Sequence, residues 1–183
     1  MNIKKGISLI AFGFAFVLVN LTLTLNGRSI CVTPDFVGWI LFFMSFDLLG
    51  SYTSDKAYMK WISLILAIVT GAIWMLKIAA PEMNTSILTT AATVVSVFYM
   101  YVLFNVLEMV AHDHAPQREA TIRMLKILYL VMYILFVVFS MLTLASQNEN
   151  LALLAGLVGA VTLVCAIVIA LVLFRFRKEV KES

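Results

Sequence analysis

Long runs of apolar residues, separated by short polar segments, recur along the whole chain. Each of six runs is close to the ~20 residues that cross a bilayer as a helix. The runs cover residues 6–25, 36–52, 61–79, 87–110, 121–146 and 151–174. Lipid offers no hydrogen-bond partner to an exposed backbone, so such runs must form helices. We therefore predict an all-α integral membrane bundle of six transmembrane helices, in a single domain over residues 1–183.

The second run is the shortest and carries Asp47 within it. A re-entrant or interfacial helix is the alternative to a full crossing for a segment of this length. If this run did not cross, every later segment would change sides and the basic C-terminal tail would lie outside. The distribution of charge therefore tests the number of spans as well as their direction.

Basic residues concentrate in alternate connecting segments. With the N-terminus in the cytoplasm, eleven of the thirteen Lys and Arg fall on the cytoplasmic side, and only Arg28 and Lys77 fall outside. The positive-inside rule thus predicts that both termini are cytoplasmic. The basic residues are dispersed over short segments, so the net charge of +3 gives no sign of a nucleic-acid partner. The expected surroundings are the lipid bilayer of a cell membrane.

Composition excludes a water-soluble domain. Apolar residues make up 63% of the chain and charged residues only 13%, whereas soluble domains are about half apolar and a quarter charged. The connections between spans are too short to hold a soluble domain with a catalytic site. The sequence also lacks phosphate-binding, nucleophile-elbow and Cys-x-x-Cys motifs. We expect no enzymatic activity and no cofactor; a membrane-embedded enzyme that uses His112 and Glu108 is the alternative, although a nucleophile and binding groups are missing.

Two neighbouring spans carry polar side chains along one face. At 100° per residue, several polar residues of span 4 share a narrow arc, and so do several of span 5, to which a short turn joins it. The candidate ligand-binding residues on these faces are Tyr101, Asn105, Glu108, Lys126, Tyr129 and Tyr133. Ionisable groups inside spans often mark solute or ion sites, but such a line can also be a hydrogen-bonded packing seam.

Two further features are weaker candidates for chemistry. His112 and His114 flank Asp113, and imidazoles beside carboxylates can hold a divalent metal. However, a solvated turn that ends before Pro116 explains the same residues without a metal. Span 6 carries small residues at helical spacing, at Ala152, Ala155, Gly156, Gly159 and Ala160. Such residues favour close helix contact, either inside the bundle or with a second copy or another membrane protein.

A motif opens the second span: Pro34-Asp35-Phe36-Val37-Gly38-Trp39-Ile40-Leu41. It resembles a pattern in small uncharacterised polytopic membrane proteins of Gram-positive bacteria, in which Pro-Asp-hydrophobic-Gly-aromatic-Ile-Leu opens an early span. The usual leucine before the proline is Thr33 here. The resemblance implies a bacterial inner-membrane location and implies no reaction. Arg28 and Asp35 could form an outward-facing mouth at this point, although helix capping and packing also explain them.

The functional hypothesis from the sequence is a multi-pass membrane protein that binds a small solute or ion, or lets it pass, along the polar seam between spans 4 and 5. The alternative is an interaction or accessory subunit without turnover. The sequence does not name the solute.

Overall fold

The computed structural model describes residues 2–18, 22–25, 28–31, 34–54, 56–80, 83–146 and 149–180. Most of these residues belong to six α-helices: α1 Ile3–Leu18, α2 Asp35–Leu49, α3 Lys56–Ala79, α4 Ser86–His114, α5 Glu119–Ser146 and α6 Glu149–Glu179. Single 3-10 turns, Gly50–Tyr52 and Pro116–Arg118, follow α2 and precede α5. The strands β1 Thr22–Leu25 and β2 Arg28–Cys31 form an antiparallel hairpin between α1 and α2. The predicted bundle of apolar helices is therefore confirmed.

The helices are arranged in a ring. Each helix packs against the helix that follows it, and α1 packs against α6 to close the ring. We call the end of the bundle where α1 begins and α6 ends the basic end, and the opposite end the hairpin end. In the middle, the Phe14 ring of α1 contacts Phe42 of α2, Phe104 of α4 and Tyr129 of α5, with centroids 5.5, 5.6 and 6.0 Å away. The interior is thus filled by aromatic side chains.

Two glycines allow α1 and α2 to cross closely. A Cβ atom built on Gly38 would lie 2.6 Å from the backbone oxygen of Gly13, and a Cβ on Gly13 would lie 2.5 Å from the Phe42 ring. Apolar burial gives no net drive to helix association in lipid, so close backbone contact of this kind supplies the attraction instead. Gly38 is the glycine of the Pro-Asp-Phe-Val-Gly motif, which therefore has a packing role.

The first predicted span was wrong in its second half. The hydropathy pattern continues to residue 25, but α1 ends at Leu18 and Thr22–Leu25 is a strand. The strand register pairs Leu25 with Arg28, which leaves Asn26 and Gly27 between the strands. Asn-Gly is the pair that two-residue hairpin connections favour most. The β-branched Thr22 and Thr24 also favour a strand, so the apolar pattern alone does not make this segment a helix.

Among the described residues, five helical segments are long and apolar enough to cross a membrane: Asp35–Tyr52, Lys56–Ala79, Ser86–His114, Pro116–Thr143 and Gly156–Glu179. The second predicted span, for which a re-entrant or interfacial helix was the alternative, is one of the five and matches its predicted bounds closely. Helix α1 has 16 residues and rises only ~24 Å, less than the ~30 Å hydrocarbon core. These dimensions are those of a multi-pass membrane protein.

Candidate functional site

The predicted polar seam between spans 4 and 5 forms an ion-pair cluster at the basic end. Lys126 Nζ donates to Glu108 Oε2 at 2.6 Å and to Asn105 Oδ1 at 3.0 Å. Arg123 Nε donates to the other carboxylate oxygen of Glu108 at 2.5 Å. Asn105 and Glu108 lie one helical turn apart on α4, as do Arg123 and Lys126 on α5, so both pairs face the same contact. We call these four residues the charged cluster.

The charged cluster is internally balanced. Arg123 also bonds to Glu119 at 2.7 Å, four residues before it on α5. The side chains of Glu108 and Lys126 are 17% and 16% exposed, and each is bonded to an opposite charge. Tyr101 lies beside them, with its ring centroid 5.9 Å from Lys126 Nζ. A fully paired cluster of this kind fastens α4 to α5 and offers no unpaired carboxylate to a ligand.

Tyr129 and Tyr133 do not join the charged cluster. Tyr129 is fully buried against Phe14 and Phe104 in the middle of the bundle. Tyr133 stacks on Tyr129 at 5.4 Å and places its hydroxyl 3.0 Å from Ser96 Oγ of α4. The six residues predicted as one site therefore lie at three levels: four of them near the basic end, Tyr129 in the aromatic layer, and Tyr133 toward the hairpin end, where it pairs with Ser96.

The two histidines point to different partners. His112 Nδ1 lies 2.9 Å from Glu119 Oε2, whereas His114 Nε2 lies 2.5 Å from the Tyr52 hydroxyl. In the described part of the chain, no group of three or more His, Cys, Asp or Glu side chains is placed to hold a metal ion. These histidines link the turns at the basic end.

A cavity of about 150 Å³ lies at the hairpin end, between α2, α3, α4 and α5, with α1 at one side. Five of the residues that line it carry hydroxyl groups: Thr70, Thr89, Thr93, Ser96 and Tyr133. We call this space the hydroxyl cavity. The sequence pattern does not predict this cavity, because its wall combines residues of five helices that only tertiary packing brings together. Of the predicted site residues, only Tyr133 lines it.

The hydroxyls around the cavity are oriented by their own helices. Thr70 Oγ1 donates to Leu66 O at 2.7 Å, Thr93 Oγ1 donates to Thr89 O at 2.8 Å, and Ser96 Oγ donates to Thr93 O at 2.6 Å. A hydroxyl that gives its proton to a backbone carbonyl keeps its lone pairs as acceptors. These three hydroxyls therefore offer acceptors and no free proton to the cavity.

Two opposite charges also line the hydroxyl cavity. Asp35 is the first residue of α2, and its Oδ1 is buried and has no hydrogen-bond partner among the described residues. Lys77, in the last turn of α3, lines the same cavity. Trp39 and Trp74 complete the apolar part of the wall. The side chain of Arg28, which the sequence analysis placed with Asp35 in an outward-facing mouth, is outside the described side chains.

The small residues of α6 lie on more than one face. A Cβ on Gly159 would lie 3.2 Å from the Phe136 ring of α5, so Gly159 packs inside the bundle. A Cβ on Gly156 would meet no described atom within 4 Å, and Ala160 is exposed. The side chains of Ala152 and Ala155 are outside the described ones. A contact with a second copy or another membrane protein through span 6 stays a prediction.

Comparison with known proteins gives no relative from which a site could be transferred: no protein-family model, curated protein or solved structure matches this chain. The candidate sites are therefore judged by their own geometry.

Proposed function

We propose that this chain is a multi-pass protein of the bacterial inner membrane that binds a small polar solute in the hydroxyl cavity. The observation that carries the proposal is the buried Oδ1 of Asp35, which has no hydrogen-bond partner among the described residues and belongs to a residue lining a cavity of hydroxyl groups. A buried polar atom left unpaired costs about 1–3 kcal/mol, and more for a charged group. A ligand that donates to Asp35 recovers that cost.

The position of the cavity also supports a binding role. Ionisable side chains inside membrane spans mark functional sites by default. The charged cluster is accounted for by pairing within the bundle, whereas Asp35 is not. The cavity lies on the same α4–α5 contact that the sequence singled out, because Ser96 and Tyr133 bond across it. A volume of about 150 Å³ suits a solute of about six heavy atoms, the size of benzene.

Binding is favoured over passage in this arrangement. Along α4, Glu108 lies twelve positions after Ser96, a rise of ~18 Å. The fully buried rings of Phe14, Phe104 and Tyr129 occupy the interval. Passage from the cavity to the charged cluster would require these rings to move apart. We therefore assign a binding function to the cavity, which is open from one side.

We also propose that both termini lie in the cytoplasm, which places the hydroxyl cavity toward the outside. The charge distribution supports this orientation. In a background in which Cys31 and Cys165 are replaced by serine, Asn84→Cys at the hairpin end should react with a membrane-impermeant maleimide on intact cells. Gln117→Cys at the basic end should react only after the membrane is permeabilised. The opposite pattern would reverse the orientation and direct the cavity to the cytoplasm.

Solute binding is tested by filling the cavity. Ala92 lines it and Ala91, the preceding residue of the same helix, is exposed. In lipid nanodiscs, we expect a small polar solute to change the fluorescence of Trp39 and Trp74 in a saturable manner. Ala92→Leu should weaken that response by about tenfold or more, which is ~1.4 kcal/mol, because the new side chain occupies solute volume.

Ala91→Leu is the matched control, since it adds the same atoms on the outer surface and should bind as the native chain does. Trp61 is exposed on another part of α3, so a Trp61→Phe background removes its signal. The solutes to be screened include small cations, anions, neutral polyols and zwitterions. If no compound gives a saturable response that Ala92→Leu diminishes, the binding proposal fails.

A further inference from the structure

The charges on the wall of the hydroxyl cavity restrict the class of solute. Asp35 and Lys77, both in the described part of the chain, line the same cavity but form no ion pair with each other. One carboxylate and one ammonium are therefore presented separately to whatever occupies the space. A solute with a single charge would meet an opposite charge at one residue and a like charge at the other.

The hydrogen-bond donors and acceptors on the cavity wall agree with this separation of the carboxylate from the ammonium. Thr70 and Thr93 donate to backbone carbonyls and so keep acceptor lone pairs. Ser96 also donates to a backbone carbonyl, and one of its two lone pairs accepts from the Tyr133 hydroxyl. Together with the Asp35 carboxylate, they match a group with several N–H donors and no acceptor. A primary ammonium is such a group. Lys77, as a compact three-donor cation, matches a carboxylate.

From these observations we infer that the solute is a small zwitterion with an ammonium group bound near Asp35 and a carboxylate group bound near Lys77, such as an α-amino acid of about six heavy atoms. This inference rests on the proposed function, because it assigns a ligand class to the same cavity. A zwitterion satisfies both wall charges at once, and its net charge of zero leaves no uncompensated charge in the site.

Three compounds of similar size separate the contributions of the two solute charges to binding. L-Alanine carries both, L-alaninamide carries only the ammonium, and L-lactate carries only the carboxylate. Each is titrated against the full-length protein in nanodiscs, with the tryptophan signal as the readout. We expect alanine to bind about tenfold more tightly than either of the others, since each lost charge pair removes at least ~1.4 kcal/mol. Alaninamide or lactate binding as tightly as alanine would overturn the inference.

Variants that remove one wall charge then show which residue binds each charged group of the solute. Lys77 is exposed, so Lys77→Gln should fold normally. It should reduce the preference for alanine over alaninamide to about twofold or less. Asp35→Asn should instead reduce the preference for alanine over lactate. A preference for alanine over alaninamide that persists in Lys77→Gln would refute the role of Lys77.

Different results would refute solute binding in the cavity and the assignment of the solute as a zwitterion. If the cavity binds a cation or an anion alone, and Ala92→Leu removes that binding, the site stands and the zwitterion assignment falls. If none of the three compounds nor any member of the wider solute set binds in an Ala92-dependent manner, the cavity is not a ligand site and both fall.

Discussion

Gly38→Ala should destabilise the protein by about 1–3 kcal/mol, the usual cost of adding atoms to a closely packed interior. The new methyl group would lie 2.6 Å from the backbone oxygen of Gly13 and 2.5 Å from a methyl group of Val17. A backbone atom cannot turn aside as a flexible side chain can, so α1 and α2 must separate. The improved helix propensity of alanine, about 1 kcal/mol over glycine, offsets only part of this cost.

Gly71→Ala is the matched comparison, because the same substitution in α3 meets only ordinary contact. Its Cβ would lie 3.6 Å from the nearest atom of Phe36, so the protein should be unchanged or slightly more stable. The measurement is the midpoint of thermal denaturation in one detergent for both variants. Equal midpoints for Gly38→Ala and Gly71→Ala would show that the α1–α2 contact is looser than the structure describes.

Glu108→Gln should destabilise the protein by about 1–3 kcal/mol, because it leaves the half-buried ammonium of Lys126 without its carboxylate. Lys126 would keep only neutral acceptors, the amide oxygens of Asn105 and of the new side chain, and Arg123 would lose one of its two carboxylates. The double variant Glu108→Gln/Lys126→Met removes both charges and should recover part of the loss. A double-mutant cycle on denaturation midpoints isolates the pair.

Asp47→Asn provides the control for the charged cluster. Asp47 also bonds to a lysine, Lys60, at 2.7 Å, but its side chain is 54% exposed, so its removal should change the midpoint much less. Solute binding separates a structural from a functional role for Glu108. If Glu108→Gln keeps its stability but loses solute binding, the solute site lies on the charged cluster and not in the hydroxyl cavity.

Sequence reasoning located most of the helices because lipid permits so few alternatives. Run length and the absence of charge predicted segments close to α3, α5 and α6, and the second span, Asp35–Tyr52, matches its predicted bounds almost residue for residue. The prediction was wrong for the second half of span 1, where the apolar run continues into a β-strand. Hydropathy measures transfer into lipid and does not distinguish a helix from a short hairpin.

The candidate site was predictable only where it depends on local geometry. Helical periodicity and the short turn between spans 4 and 5 correctly brought Asn105 and Glu108 to Lys126. Tyr129 and Tyr133 lie on the same face of α5 but at other depths, so they do not join the charged cluster. The hydroxyl cavity brings Asp35 together with Thr70 and Ser96, and only tertiary packing determines that these three meet.

The unequal helix lengths have a consequence for the surrounding lipid. Helix α1 has 16 residues, and the apolar run of its neighbour α6, residues 151–174, has 24, so the two rise by ~24 Å and ~36 Å. A bilayer cannot match both heights on one side of the same protein. The acyl chains must shorten beside α1, or α6 must tilt, at a cost of fractions of a kcal/mol per Å of mismatch. The thinnest bilayer should therefore lie beside α1 and the hairpin, where lipid headgroups come closest to the depth of the hydroxyl cavity.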